Sequence, residues 1–168
     1  MVIFGIDLVL LISALMISAT PVLLAAIGEA VVEKSGVLNL GVEGMMITGA
    51  VIGFIFAVNT QTPIYGFIFA AIAGALLSVM FAVLTQYIMS NQVATGLGLT
   101  MVGLGLSALI GKPYEGIKSP TLSKIEIPIL SDIPILGPMI FSHDAIVYFS
   151  VILVATVAFV ISKTRIGL

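Results

Sequence analysis

Few side chains in this sequence could do chemistry, and most of those cluster in two short stretches. The first is "VVEKSGVLNLGVEGMMITGA", residues 31–50, where Asn39 and Glu43 stand four apart among Gly36, Gly41 and Gly44. Four-residue spacing on a helix would put the amide and the carboxylate on one face. An ionised side chain near a bilayer centre costs about 2.5–3.5 kcal/mol even on the lenient insertion scale, so it faces a bundle interior, water or a partner group. The glycines point to a broken, re-entrant or closely packed entry whose backbone groups could line a cavity, since irregular backbone at membrane depth must be covered by protein or water. The competing reading makes Glu43 a shallow acid that favours the start of a helix. The second stretch is "SNQVATGLGLT", residues 90–100, with Asn91, Gln92, Thr95 and Thr100. Uncharged amides and hydroxyls suit a neutral polar solute such as a sugar or nucleoside. They equally suit a tight polar turn followed by packing hydroxyls.

Other chemistries are poorly provided for. Cysteine is absent, which removes disulfides, thiolate metal sites and a cysteine nucleophile. His143 is the sole histidine, and beside Asp144 it reads as an interfacial loop or helix-start residue, not a metal ligand. The fragment "GLSALIGKP" at 105–113 imitates a phosphate loop, but its glycines are one residue too far apart. Pro113 also stands where Ser or Thr should hold magnesium. No span carries a pair of acids or a Ser–His pair, as an intramembrane hydrolase would need. No cofactor is expected on this chain.

The elements that must position these residues are membrane helices. Of 168 residues, 60% are hydrophobic and 8% charged, whereas a soluble domain carries roughly 25% charged residues. A net charge of −2 gives no footprint for nucleic acid. About 20 apolar residues cross the hydrocarbon core. Five stretches qualify, at about 8–28, 37–58, 64–89, 93–111 and 145–162, giving an all-α polytopic bundle in a single membrane domain. Thr20–Pro21 should kink the first span. The N-terminus lacks a basic n-region and its apolar run is too long for a cleaved signal, so it reads as a retained span. Residues 112–144 hold five prolines and read as an extramembrane loop. Small residues four apart, at Gly49 and Gly53, at Gly103, Ser107 and Gly111, and at Ala70, Gly74 and Ser78, point to close helix packing. Lys34, Lys163 and Arg165 on one side balance Lys112, Lys118 and Lys124 on the other. The pair immediately after the last span tips the reading toward a cytoplasmic C-terminus.

Three segments resemble a known family. "GEAVVEKSGVLNLGVEGMMITGA", "SNQVATGLGLTMVGLGLSALIGKPYEG" and "VYFSVILVATVAFVISKTRIGL" are similar, in that order, to permease subunits of bacterial ABC importers, in the nucleoside and simple-sugar branch of the branched-chain amino acid and ribose permeases. The resemblance implies a plasma-membrane transport subunit and not an enzyme. It would pair with a second permease subunit and dock a cytoplasmic ABC ATPase that holds ATP and magnesium. An extracytoplasmic substrate-binding protein or lipoprotein would deliver the solute. It also implies that "KTRIGL" leads into a cytoplasmic loop, which places the N-terminus and residues 112–144 outside. Asn39, Gly41, Glu43, Gly44, Asn91, Gln92 and Thr95 would border the translocation path. Family members run about twice this length, so the chain is expected to be an N-terminal portion. Two alternatives remain: an ion-coupled carrier or channel using Glu43, and an assembly subunit without a path of its own.

Overall fold

A chain in lipid must pair its backbone N–H and C=O groups internally, and helices do this segment by segment. The computed structural model describes residues 2–3, 6–122, 124–126 and 142–164. Five of its helices are long and apolar enough to cross a membrane: α1 (Leu8–Lys34), α2 (Val42–Thr60), α3 (Pro63–Ala82), α4 (Gln92–Gly111) and α5 (Ala145–Lys163). The chain is an all-α, multi-pass membrane protein. Exposed Leu10, Leu76, Met101 and Ile152 are the outward apolar surface that such a protein turns to lipid.

The helix bounds depart from the hydropathy reading in instructive ways. α1 runs unbroken through Pro21 to Lys34, so Glu29 and Glu33 ride its last turns instead of lying in a loop. Pro21 cannot donate to a preceding carbonyl, while the neighbouring Thr20 hydroxyl donates to the Met16 carbonyl at 2.8 Å. α2 begins at Val42, not 37. After Ala82, α3 widens into one π-helical turn, Val83–Tyr87, and Met89 then takes a left-handed φ of 57° to start the tight link. α4 continues as a 3-10 turn over Lys112–Tyr114, three residues into the expected loop. Most of the remaining loop, including Pro128, Pro134 and Pro138, lies outside the described residues.

The chain divides into two compact units. Unit 1 comprises residues up to Val31 together with Leu122–Leu168. It holds most of α1, α5 and two short antiparallel pairings: β1 (Val2–Ile3) with β2 (Ile6–Asp7), and β3 (Lys124–Glu126) with β4 (Ser142–Asp144). His143 is buried there, and its backbone N–H donates to the Tyr148 hydroxyl at 3.2 Å. Ser150, also buried, donates to the Val147 carbonyl at 2.7 Å.

Unit 2, Val32–Thr121, carries both candidate stretches. Its central helix is α2, which packs on α3 along one side and on α4 along another. Met45, Phe81 and Leu99, one from each helix, form its buried apolar cluster, with Val37 and Leu77 against it. The α2–α3 seam uses the small residues that the sequence singled out. A Cβ on Gly53 would lie 2.8 Å from the Gly66 carbonyl oxygen, and one on Gly49 would lie 3.1 Å from that of Ala70. Farther along, Phe56 and Phe69 stack with ring centroids 3.6 Å apart and planes 7° from parallel.

Candidate functional site at the entry of the second helix

The backbone stops being helical just before α2, and the sequence shows how. Gly36 adopts φ +85°, a region that side chains with a Cβ rarely enter. Its N–H bonds the Glu33 carbonyl at 2.9 Å, and the N–H of Val37 bonds that of Val32 at 3.4 Å. This pair of bonds is the glycine-terminated stop that closes many helices. Residues 37–41 then run without helical bonding to Val42.

That irregular segment is held against α4 by hydrogen bonds from both segments. Asn39 is buried, and its Oδ1 accepts the Gly41 N–H at 3.0 Å, two residues on. Its Nδ2 reaches the Met45 sulfur at 3.7 Å. The Leu38 N–H donates to Gln92 Oε1 at 2.8 Å. The Thr100 hydroxyl donates to the Leu40 carbonyl at 3.1 Å. Irregular backbone at membrane depth needs such partners, because lipid offers none. At the start of α4, Asn91 is the N-cap and its Oδ1 accepts the Ala94 N–H at 3.0 Å. Thr95 shares a 2.7 Å hydrogen bond with Ser90. Ser90 in turn donates through both N–H and hydroxyl to the carbonyl of Leu84, within the π-helical turn.

Glycines let the two backbones touch. A Cβ on Gly96 would lie 2.9 Å from the amide nitrogens of Leu40 and Gly41. A Cβ on Gly44 would lie 2.6 Å from the Leu99 oxygen and the Thr100 Cα. One on Gly103 would lie 2.6 Å from the Gly44 Cα. Real side chains do not fit at such distances, and neither does water, which needs roughly a probe sphere of free space and two or more polar partners. Gly41 and Gly44 therefore meet Gly96, Leu99 and Gly103 in a dry joint, backbone on backbone.

Of the sequence-selected residues, the structure brings Asn39, Gly41, Gly44 and Gln92 into this joint, with Asn91 and Thr95 shaping the helix start beside it. It separates Asn39 from Glu43. The shared helix face expected of that pair does not exist, because Asn39 precedes the helix and turns inward. Glu43 sits in the first turn of α2 and is exposed. A carboxylate there is favoured by the partial positive charge of the helix N-terminus. Gly96, Gly103, Thr100 and Ser90 complete the joint. The glycine and threonine spacing on α4 was a visible signal for the first three, but nothing in the sequence marked which carbonyl Thr100 would meet. No group of three metal-ligating side chains occurs among the described residues. The arrangement can hold a wall rigid and present Glu43 and Asn91 at its exposed edge.

The Thr100 bond is testable by itself. Thr100→Val should destabilise the chain by about 0.6 kcal/mol, the average for an interhelical hydrogen bond in a membrane, measured by reversible unfolding in mixed micelles. Thr156→Val should cost less, because that hydroxyl only turns back to its own helix at the Ile152 carbonyl.

Comparison with known proteins agrees with these elements. Residues 11–168 match the family model described as the branched-chain amino acid transport system, permease component. A Haloferax volcanii protein named as a glucose ABC transporter permease is 35% identical over 162 residues, covering 94% of this chain and 49% of the relative. The guanosine ABC transporter permease protein of Bacillus subtilis is 33% identical over 175 residues, covering 95% and 54%. The nucleoside ABC transporter permease protein of Lactococcus lactis is 28% identical over 170 residues, with the same coverage of 95% and 54%. The chain thus spans about half the length of the relatives it matches. No solved structure matches it. With residues 11–168 inside the family model and five apolar helices in place among the described residues, the chain belongs to the permease-component family of the branched-chain amino acid transport system.

Proposed function

We propose that the chain supplies the N-terminal half of the translocation path of an ABC importer for a nucleoside-like or simple-sugar-like solute. ATP hydrolysis then belongs to a separate cytoplasmic subunit, solute delivery to an extracytoplasmic binding protein, and a second permease subunit completes the path. The observation that carries this reading is the family match over residues 11–168, joined by relatives named for nucleoside and glucose transport. In this reading the N-terminus is outside and the C-terminus cytoplasmic. Asn39, Gly41, Gly44, Gln92 and Thr95 make the rigid wall, while Glu43 and Asn91 border the path with exposed polar groups. The exposed position of Glu43, without a basic or acidic partner among the described residues, is a poor start for an ion-coupled pathway.

The test is uptake of labelled guanosine and labelled glucose by cells that carry the whole transport system. Loss of the ATPase subunit should abolish uptake of the transported solute, and Glu43→Gln should retain at least half of it. Uptake that survives loss of the ATPase but collapses in Glu43→Gln would overturn the proposal in favour of an ion-coupled carrier.

A further inference from the structure

α2 and α4 run side by side in the same direction, with α3 carrying the chain back, and their contacts recur in step along both. Gly41 meets Gly96, Gly44 meets Gly103, Val51 meets Gly111 and Asn59 meets Tyr114. From Gly44 to Asn59 the helix rises about 22 Å at 1.5 Å per residue, most of a hydrocarbon core about 30 Å thick. A Cβ on Gly111 would lie 3.0 Å from Val51 Cγ2. At the far end Asn59 Nδ2 donates to the Tyr114 hydroxyl at 3.1 Å. The 3-10 turn that prolongs α4 presents this hydroxyl. Gly116, at φ +78°, then lets the Ile117 N–H return to the Tyr114 carbonyl at 3.3 Å.

Packed helices commonly adjust to a conformational change by sliding a little along one another. This pair is built against sliding. A shift of one turn would carry Leu99 or Ser107 into the place of Gly103, where even a single Cβ would lie 2.6 Å from the Gly44 Cα. Close-packed backbone of this kind does not deform continuously. Parting is opposed at both ends. At the entry it would strip the Leu38 N–H and the Leu40 carbonyl of Gln92 and Thr100, and lipid offers irregular backbone no substitute. At the far end it would break the bond from Asn59 to Tyr114.

We propose that α2 and α4 move as a single body through the transport cycle, so that the solute passes beside the pair and never between its two helices. Val51, Gly111, Asn59 and Tyr114 are then positioning residues: they extend the grip of the entry joint along the height of the pair. The consequence for the solute rests on the transport reading above. The single body itself rests on the contacts alone.

The experiment locks the pair. The chain has no cysteine, so Val51→Cys with Gly111→Cys introduces one defined cross-link. Val51 Cγ2 is 3.0 Å from the Gly111 Cβ position, which puts the two Cβ atoms within about 4.5 Å, the reach of a disulfide. In cells carrying the whole transport system, oxidation should join the two cysteines almost completely, as read by mass spectrometry. Uptake of labelled guanosine or glucose should then stay at no less than half that of the reduced variant. Uptake lost on oxidation and restored by a reductant would overturn the proposal, and so would failure of the pair to cross-link. A second measurement needs no transported solute. Spin labels on Met46→Cys and Met101→Cys, both exposed positions, should report one distance in nanodiscs, alone and with the ATPase subunit and ATP. A second distance in either condition would overturn the proposal. Failure of the transport reading would show instead in the unaltered system, as uptake that does not depend on the ATPase.

Discussion

Gly44→Val should leave little folded protein. At Gly44 the added carbon would come within 2.6 Å of the Leu99 oxygen and the Thr100 Cα, and both are backbone atoms of α4. A flexible side chain could swing aside, but a helix backbone moves only if the helices part. Overpacking a tight core costs about 1–3 kcal/mol and sometimes more, and here the bonds from Gln92 and Thr100 would be pulled apart as well. The expected outcome is a drop in the unfolding midpoint in detergent with severalfold less monodisperse protein on size exclusion. Gly103→Val, across the same contact, should do the same. Gly98→Ala is the control: it lies on the same helix with nothing within 4 Å of the added carbon. It should be neutral or slightly stabilising, because glycine is the poorer helix former by about 1 kcal/mol. Equal loss in Gly98→Ala and Gly44→Val would show that helix propensity, not contact, governs this helix.

Asn39→Leu should have the next largest effect. The size is nearly kept, but the acceptor for the Gly41 N–H disappears. That amide lies against the Gly96 position on α4, where no water can replace the lost partner. An unpaired buried donor costs about 1–3 kcal/mol. Met45→Leu separates the sulfur contact of Asn39 from its bond to Gly41, since it removes only the weak sulfur acceptor, and a volume-conserving swap of this kind costs less than about 1.5 kcal/mol. Unfolding midpoints of the two variants decide the matter. A Met45→Leu loss as large as that of Asn39→Leu would place the stabilisation in the apolar cluster with Phe81 and Leu99 instead of in the amide.

Much of the fold was legible in the sequence, and the missing parts have physical causes. Apolar runs of membrane length announced all five helices. Recurrent small residues announced close packing, as Gly49 and Gly53 against Ala70 bear out, whereas Gly74 in the same row has nothing within 4 Å of its added carbon. The start of α2 was not legible, because "VLNLG" is apolar enough to read as span while its backbone is turned by Gly36 and Asn39. Composition reports how greasy a segment is, but hydrogen-bond partners decide whether it is helical. Placing Asn39 and Glu43 on one face assumed the helix that this break removes. The π-helical turn after Ala82 was hidden in the same way inside a continuous apolar run. At the candidate site, residue types pointed to the right neighbourhood, yet their work differs from what type alone suggests. The amides of Asn39, Asn91 and Gln92 accept backbone N–H groups, and the glycines close a gap instead of opening one.

The central claim is that the entry of α2 is a dry joint clamped to α4, and backbone hydrogen exchange at single-residue resolution tests it most directly. Residues 37–41 are not helical, so a segment that merely lined a water-filled gap would exchange freely. Leu38 and Gly41 instead donate to side chains, at 2.8 and 3.0 Å. In nanodiscs the buried Gly41 amide should exchange at least about 100-fold more slowly than in an unfolded chain, as for hydrogen bonds that open only with the surrounding structure, while the Leu38 amide, bonded at the exposed edge, should be slowed less. Gln92→Ala should release Leu38 while Gly41 stays protected. Exchange of both amides near the unfolded rate in the unaltered protein would contradict the account.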